Sequence, residues 1–245
     1  MDTPAAPVQL GFTHFLAQAD ALALFLLGVM LLMSIVTWYL IASKSIANRR
    51  MRQSAQRFLD KFWNAPGLES VAEHIRSAGV HDPFSHLTQR GLHAAEQYRN
   101  KTGQRLIESG SAEEFLTRAL RRAIDQDTAR LEHGHTMLAS IASSAPFIGL
   151  FGTVWGIYHA LVNIGMSGSG SLDQVAGPVG EALIMTALGL AVAIPAVLAY
   201  NFFNRSNRLV LNELDGFAHD LFAFMSTGIR GQDQGMKPVP PARSM

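Results

Sequence analysis

Gly177-Pro-Val-Gly-Glu-Ala-Leu-Ile-Met-Thr-Ala-Leu-Gly-Leu-Ala-Val-Ala-Ile-Pro-Ala-Val-Leu-Ala-Tyr200 reads as a membrane helix with one exception. About 20 apolar residues cross a bilayer, and this run is long enough. The exception is Glu181, the one carboxylate inside the three long apolar stretches of the chain. A charged side chain at the centre of a membrane helix costs roughly 2.5–3.5 kcal/mol on insertion scales. Two readings follow. Glu181 is either a helix N-terminal carboxylate favoured by the backbone dipole, or a group retained to handle a proton, an ion or a partner. It has no basic neighbour in the run to pair with.

Two more spans flank it in the sequence. The first covers residues 21–43 and carries Trp38 and Tyr39 near one end, where amphipathic rings favour the interface. The second covers 137–164, and the third, which holds Glu181, covers 178–203. The glycine- and serine-rich segment 165–177 between them reads as a turn joining antiparallel helices. Only 16% of the 245 residues are charged, against about 25% in soluble domains. The net charge of +1 conceals a one-sided distribution. Fifteen of the 20 basic residues lie in 44–135 and the other five in 204–245, leaving none in 1–20 or in 165–176. The excess of basic residues on cytoplasmic segments then places 1–20 and 165–177 outside, and 44–136 and the C-terminus inside. The N-terminus lacks the basic start of a signal peptide, so the first span is expected to stay as an anchor.

The expected fold is therefore an all-α membrane protein with three transmembrane helices, the second and third continuing into long cytoplasmic helices. Residues 44–136 read as a helical cytoplasmic domain built from several short amphipathic helices. Phe58, Leu59 and Phe62 share one face, as do Leu68, Val71, Ala72 and Ile75. Asp82-Pro83 reads as a helix start, an N-cap followed by proline at the first helical position. Lys101-Thr-Gly-Gln reads as a break. Ser111-Ala-Glu-Glu114 has the capping-box pattern, and no proline follows until Pro146, so one helix is expected from Ala112 to Ile164. Val210, Leu214, Phe217, Leu221 and Phe224 form an apolar seam on a helix spanning 204–228. That seam is expected to pack on 112–135 or on a neighbouring subunit. The tail 229–245 is polar and proline-rich, which predicts disorder.

Polar and small residues within the spans are the candidates for function. Gly149, Gly152 and Gly156 lie along one side of the second span, and small residues let helices approach closely in lipid. Pro146 and Pro195 interrupt backbone donors in the second and third spans. Thr153 and Thr186 are intramembrane hydroxyls at comparable depth if the two helices are antiparallel. They either bond their own helix carbonyls or form a polar track with Glu181. The nine histidines show no metal-ligand spacing, and His133, His135 and His159 read as interfacial or packing residues. No phosphate loop, nucleophile elbow or paired-carboxylate site appears, so no cofactor, metal or catalytic residue is expected. The absence of cysteine removes thiolate chemistry. The basic segment lacks the interleaved aromatics of a nucleic-acid surface, and its charge follows from topology.

Ala145-Pro-Phe-Ile-Gly-Leu-Phe-Gly-Thr-Val-Trp-Gly-Ile157 and Gly180-Glu-Ala-Leu-Ile-Met-Thr-Ala-Leu-Gly-Leu-Ala-Val-Ala-Ile-Pro-Ala-Val197 resemble the ExbB/TolQ/MotA proton-channel family, most closely its ExbB and TolQ branches. The architecture agrees over residues 15–228, and the three spans differ from the four of MotA-type stators. The resemblance implies an inner-membrane motor subunit driven by the proton motive force, assembled as a homopentamer around the single-span helices of an ExbD-like partner. It further implies that the complex energises a TonB-like protein serving outer-membrane transport. The family's pore glutamate falls on Glu181 and its pore threonines on Thr153 and Thr186. Where the family commonly has Ala-Pro-Gly-Ile-Ala-Glu, this chain has Ala-Gly-Pro-Val-Gly-Glu, which keeps the glutamate and shifts the glycine and proline. Two other roles remain open at this level: a subunit of the Tol-Pal envelope motor, or a non-conducting scaffold for the partner helices. A membrane-anchored enzyme or sensor using 44–135 finds no catalytic set to support it.

Overall fold

The structure is a computed structural model that describes residues 20–101, 111–167 and 172–227. Among the described residues the secondary structure is entirely helical. Helices α1 (Ala21–Asn64), α2 (Leu68–Ala78), α3 (Pro83–Lys101), α4 (Ala112–Glu132), α5 (His135–Ser167) and α6 (Leu172–Thr227) follow one another in chain order. Three stretches, Ala21–Asn64, Ala112–Met166 and Ala182–Ser226, contain helical windows long and apolar enough to cross a membrane. The chain is thus an all-α membrane protein with three such helices.

Three boundaries differ from the sequence reading. Helix α1 runs unbroken through Ser43 to Asn64, so the helix that carries Phe58 and Phe62 is continuous with the first span. No proline or glycine lies between Gly28 and Ala65 to stop it. The single helix expected from Ala112 to Ile164 is two helices, parted at His133 and Gly134. Gly134 takes φ +79°, a left-handed conformation that ends helices and that glycine adopts without steric cost. His133 N–H meanwhile donates back to Arg130 O at 3.3 Å, tightening the last turn of α4. Finally, α5 reaches Ser167 and α6 starts at Leu172, which narrows the turn expected over 165–177. The break expected after Lys101 and the tail 229–245 lie outside the described residues.

The described chain divides into two compact units, one from residues up to 45 and 134–204, the other from 46–133 and 205 onward. In the first, the start of α1 packs with α5 and the first half of α6. Leu26, Met30, Ile141, Ala145, Met185, Val192, Ala193 and Ala196 form its core, and Leu138, Ala199 and Phe203 form a smaller cluster. Large apolar side chains such as Phe25, Leu31, Phe147, Phe151 and Phe202 are exposed on these helices. In water such a surface is costly, whereas lipid accepts it without penalty.

The α5–α6 contact is made of glycine. A Cβ added at Gly149 would lie 2.6 Å from Met185 O and 3.0 Å from Gly189 Cα. One added at Gly189 would lie 2.7 Å from Ala145 O. Farther along, Gly152 faces Met185 and Gly156 faces Ala182. As the α5 number rises the α6 number falls, so the two helices run antiparallel. Pro146 and Pro195 both lie within unbroken helix.

The second unit gathers the ends of α1 and α6 with α2, α3 and α4. Phe58, Phe62, Phe84, Leu87, Leu116, Leu120, Leu214, Phe217 and Leu221 lie in one core. Phe217 is its hub, with ring centroids 4.9 Å from Phe62 and 5.5 Å from Phe84 in edge-on arrangements. The apolar seam of α6 is therefore buried within its own chain. Polar contacts cap helix ends and link neighbouring helices. Ser111 Oγ accepts from Glu114 N–H at 3.2 Å, and Asn207 Nδ2 donates to Leu131 O at 2.8 Å. Asn48 Nδ2 and Arg52 Nη2 both donate to Ser206 Oγ.

Asp82 caps α3 by accepting from Ser85 N–H at 2.9 Å. Burial pushes its carboxyl above the usual aspartate value, although bonds from Ser85 oppose the shift. A carboxyl raised on folding binds protons more tightly in the native state, so stability falls as pH rises through the window just above the ordinary value. Asp82→Asn keeps the cap and is expected to remove that pH dependence, while Asp82→Ala loses about 1 kcal/mol. Denaturation of the purified protein across pH 3.5–7 checks both. The glycine contact yields a second expectation. Gly149→Ala forces backbone against Cβ and destabilises by about 1–3 kcal/mol. Gly216→Ala, in open space on the exposed face of α6, gains about 0.5–1 kcal/mol. Paired melting curves in detergent read the opposite signs.

Candidate functional site

Close approach of α5 and α6 brings a hydroxyl across the helix interface. Thr153, buried at 6% exposure, lies one turn beyond Gly149 on α5. Its Oγ1–H is within donating distance of Gly149 O on its own helix (3.2 Å) and Ala182 O on the other (3.0 Å). A threonine has one hydroxyl hydrogen. With that hydrogen directed to a carbonyl, Thr186 Oγ1–H donates to Thr153 Oγ1 at 2.5 Å. The two threonines singled out by the sequence thus meet directly, and Thr153 makes both its own-helix bond and the cross-helix bond. The pair forms a short hydroxyl chain at the contact between the two helices. Each hydroxyl can accept one proton while releasing another, which is the requirement for relay along a hydrogen-bonded file.

Glu181 is part of helix α6, one position before Ala182. Its side chain lies outside the described residues. Ala182 itself is buried, packs against Gly156 and supplies the carbonyl that faces Thr153. The backbone step that carries Glu181 is therefore adjacent to the contact ridge. Of the other small residues, Gly149 and Gly152 set the spacing on either side of Met185.

Two polar clusters in the same unit escaped the sequence reading. At one end, Asp20 Oδ1 accepts from Ala23 N–H at 2.8 Å and caps α1. Its Oδ2 accepts from Trp155 Nε1–H of α5 at 2.7 Å. The bond from Ala23, and then that from Trp155, hold the Asp20 carboxyl below its ordinary value. The His159 ring lies against Trp155 at a tilt of 46°, with centroids 4.5 Å apart. At the other end, Lys44 Nζ donates to His135 Nδ1 at 3.2 Å, and partial burial lowers the Lys44 ammonium from its usual value. His135 is buried against the rings of Tyr200 and Phe203. An aspartate just before an apolar run was the available signal for the first cluster. Nothing in local spacing links Lys44 to a residue 91 positions away.

Residues 81–215 match the model of the MotA/TolQ/ExbB proton channel family. Over 234 residues the chain is 42% identical to biopolymer transport protein ExbB of Xanthomonas campestris pv. campestris, covering 92% of each chain. Against the ExbB of Neisseria meningitidis it is 47% identical over 199 residues, or 80% of this chain and 90% of the relative. Similarity to Tol-Pal system protein TolQ of Pseudomonas aeruginosa is lower, at 31% over 201 residues, covering 82% and 86%. On this coverage and identity, the chain belongs to the MotA/TolQ/ExbB proton channel family.

Proposed function

We propose that this chain is an ExbB-type subunit of an inner-membrane motor that uses the proton motive force to energise TonB-dependent transport across the outer membrane. The observation that carries the reading is the Thr153–Thr186 hydroxyl pair, which joins antiparallel α5 to α6, the helix that bears Glu181. Greater identity to relatives named ExbB favours this role over the Tol-Pal one. Protons enter from the outer side near Glu181 and pass along the threonine hydroxyls. A carboxylate on an ExbD-like single-span partner carries them on. Five copies of the chain surround that partner, and the complex acts on a TonB-like protein. The exposed apolar faces of the membrane helices are then shared between lipid, neighbouring copies and the partner. The charge asymmetry supports an N-terminus and a 165–177 loop on the periplasmic side, with 44–136 and the C-terminus in the cytoplasm.

Proton flux into liposomes holding the reconstituted complex is the direct test. Glu181→Gln removes the titrating carboxylate and is expected to abolish flux and TonB-dependent siderophore uptake together. Full uptake by this variant would refute the role given to Glu181. Loss of transport with flux intact would reassign Glu181 to a scaffold. Thr153→Val, nearly isosteric but without the hydroxyl, is expected to slow flux at least tenfold while costing only about 0.6 kcal/mol of stability, the mean for such bonds in membranes. Thr153→Ser restores flux. Topology has its own check, because the chain has no native cysteine. Ser169→Cys is expected to react with a membrane-impermeant maleimide in intact spheroplasts, and Thr117→Cys only after lysis.

A further inference from the structure

We propose that the cleft between α3 and α4 is a binding site for a phosphate-bearing small molecule of about nucleotide size. This site is separate from the threonine pair and does not depend on the proton-channel reading. The cleft has a volume of about 690 Å³, within the range of roughly 300–1,000 Å³ typical of small-molecule sites. Helix α3 lines it with Arg90, His93 and Gln97, and α4 with Phe115, Arg118 and Arg122. No carboxylate is among the described residues lining it.

Its chemistry is selective for anions. Arg118 and Arg122 are four apart on one helix face, where like charges repel. An anion between them converts that repulsion into attraction. Guanidinium groups suit phosphate in particular, since their planar forks bond its oxygens in pairs. The Phe115 ring and the small side chains of Ala94, Ala119 and Ala123 provide an apolar wall beside the cations. A flat apolar group bearing phosphates satisfies both surfaces.

A buried network supports the cleft from behind. Arg90 Nε–H donates to His86 Nε2 at 3.3 Å. With Nε2 accepting, His86 gives the proton on Nδ1 to Asp127 Oδ2 at 2.8 Å. Arg130 lies 3.5 Å from the other Asp127 oxygen. His86 and Asp127 are both buried, and taking charge out of water costs several kcal/mol per ion. The network anchors Arg90, a lining residue of the cleft, through its Nε and engages neither Nη. Arg121, next in sequence to Arg122, is exposed and does not line it.

Three sources supply this phosphate chemistry: a nucleotide, free phosphate and a lipid headgroup. The full-length protein in an uncharged detergent is titrated calorimetrically with ATP and with inorganic phosphate. In parallel, its association with phosphatidylglycerol and with phosphatidylcholine is measured in nanodiscs. Saturable ATP binding, weakened tenfold or more by Arg118→Gln or Arg122→Gln and changed less than twofold by Arg121→Gln, is the expected result. Phosphate binding alone, with the same variant pattern, places an inorganic anion in the site. Retention of phosphatidylglycerol over phosphatidylcholine that is lost in Arg118→Gln places a lipid headgroup there. Equal weakening by Arg121→Gln, or no saturable binding of any probe, overturns the proposal. All three arginines are exposed, and unchanged melting curves exclude misfolding as the cause of lost binding.

Discussion

Backbone rests against backbone where Gly149 of α5 meets Gly189 of α6, with no room for a Cβ on either side. Lipid offers little hydrophobic drive to bring helices together, so close van der Waals contact between small residues has to supply it. The rest of the membrane unit depends on this approach. A threonine hydroxyl reaches only a short distance from its own backbone. Thr153 touches the carbonyl of Ala182 and the hydroxyl of Thr186 because the helices are already drawn together one turn away. Wider spacing would leave Thr153 bonded only to Gly149 O, and the hydroxyl file would be broken.

The second unit reaches order by a different route. Its core is aromatic and aliphatic and organised on Phe217, so burial of apolar surface holds it together. Within that core sits the His86–Asp127 pair, a polar element whose burial makes sense once it is seen to position Arg90. The two units thus use polar groups in different ways. One joins two helices through threonine hydroxyls, and the other bonds a surface arginine to a buried histidine–aspartate pair.

Much of this was legible in the sequence, for identifiable reasons. Glu181 stands out because a lone acid in an apolar run has a free-energy cost, and Gly149, Gly152 and Gly156 because their spacing marks one helix face. The seam at Leu214, Phe217 and Leu221 announced its burial by periodicity, although periodicity could not choose between partners within the chain and beyond it. The break at Gly134 was hidden, since the apolar pattern continues past it and one glycine inside a helix is common; only its positive φ reveals the stop. Asp20 with Trp155 and Lys44 with His135 were invisible because each pair joins distant parts of the chain. Residue type marks a group able to bond, but tertiary geometry selects its partner.

The graded tightness along the α5–α6 contact bears on how this sequence is able to vary. At Gly152 the severe obstacle is the flexible end of the Met185 side chain, which a smaller residue would remove. At Gly156 it is chiefly the Cβ of Ala182, so a glycine there would open the way. Both positions can therefore drift in concert with one partner. Gly149 and Gly189 meet main-chain atoms, which every amino acid possesses. No second-site replacement relieves that obstruction, and the two glycines hold their places independently of what the remainder of the sequence becomes.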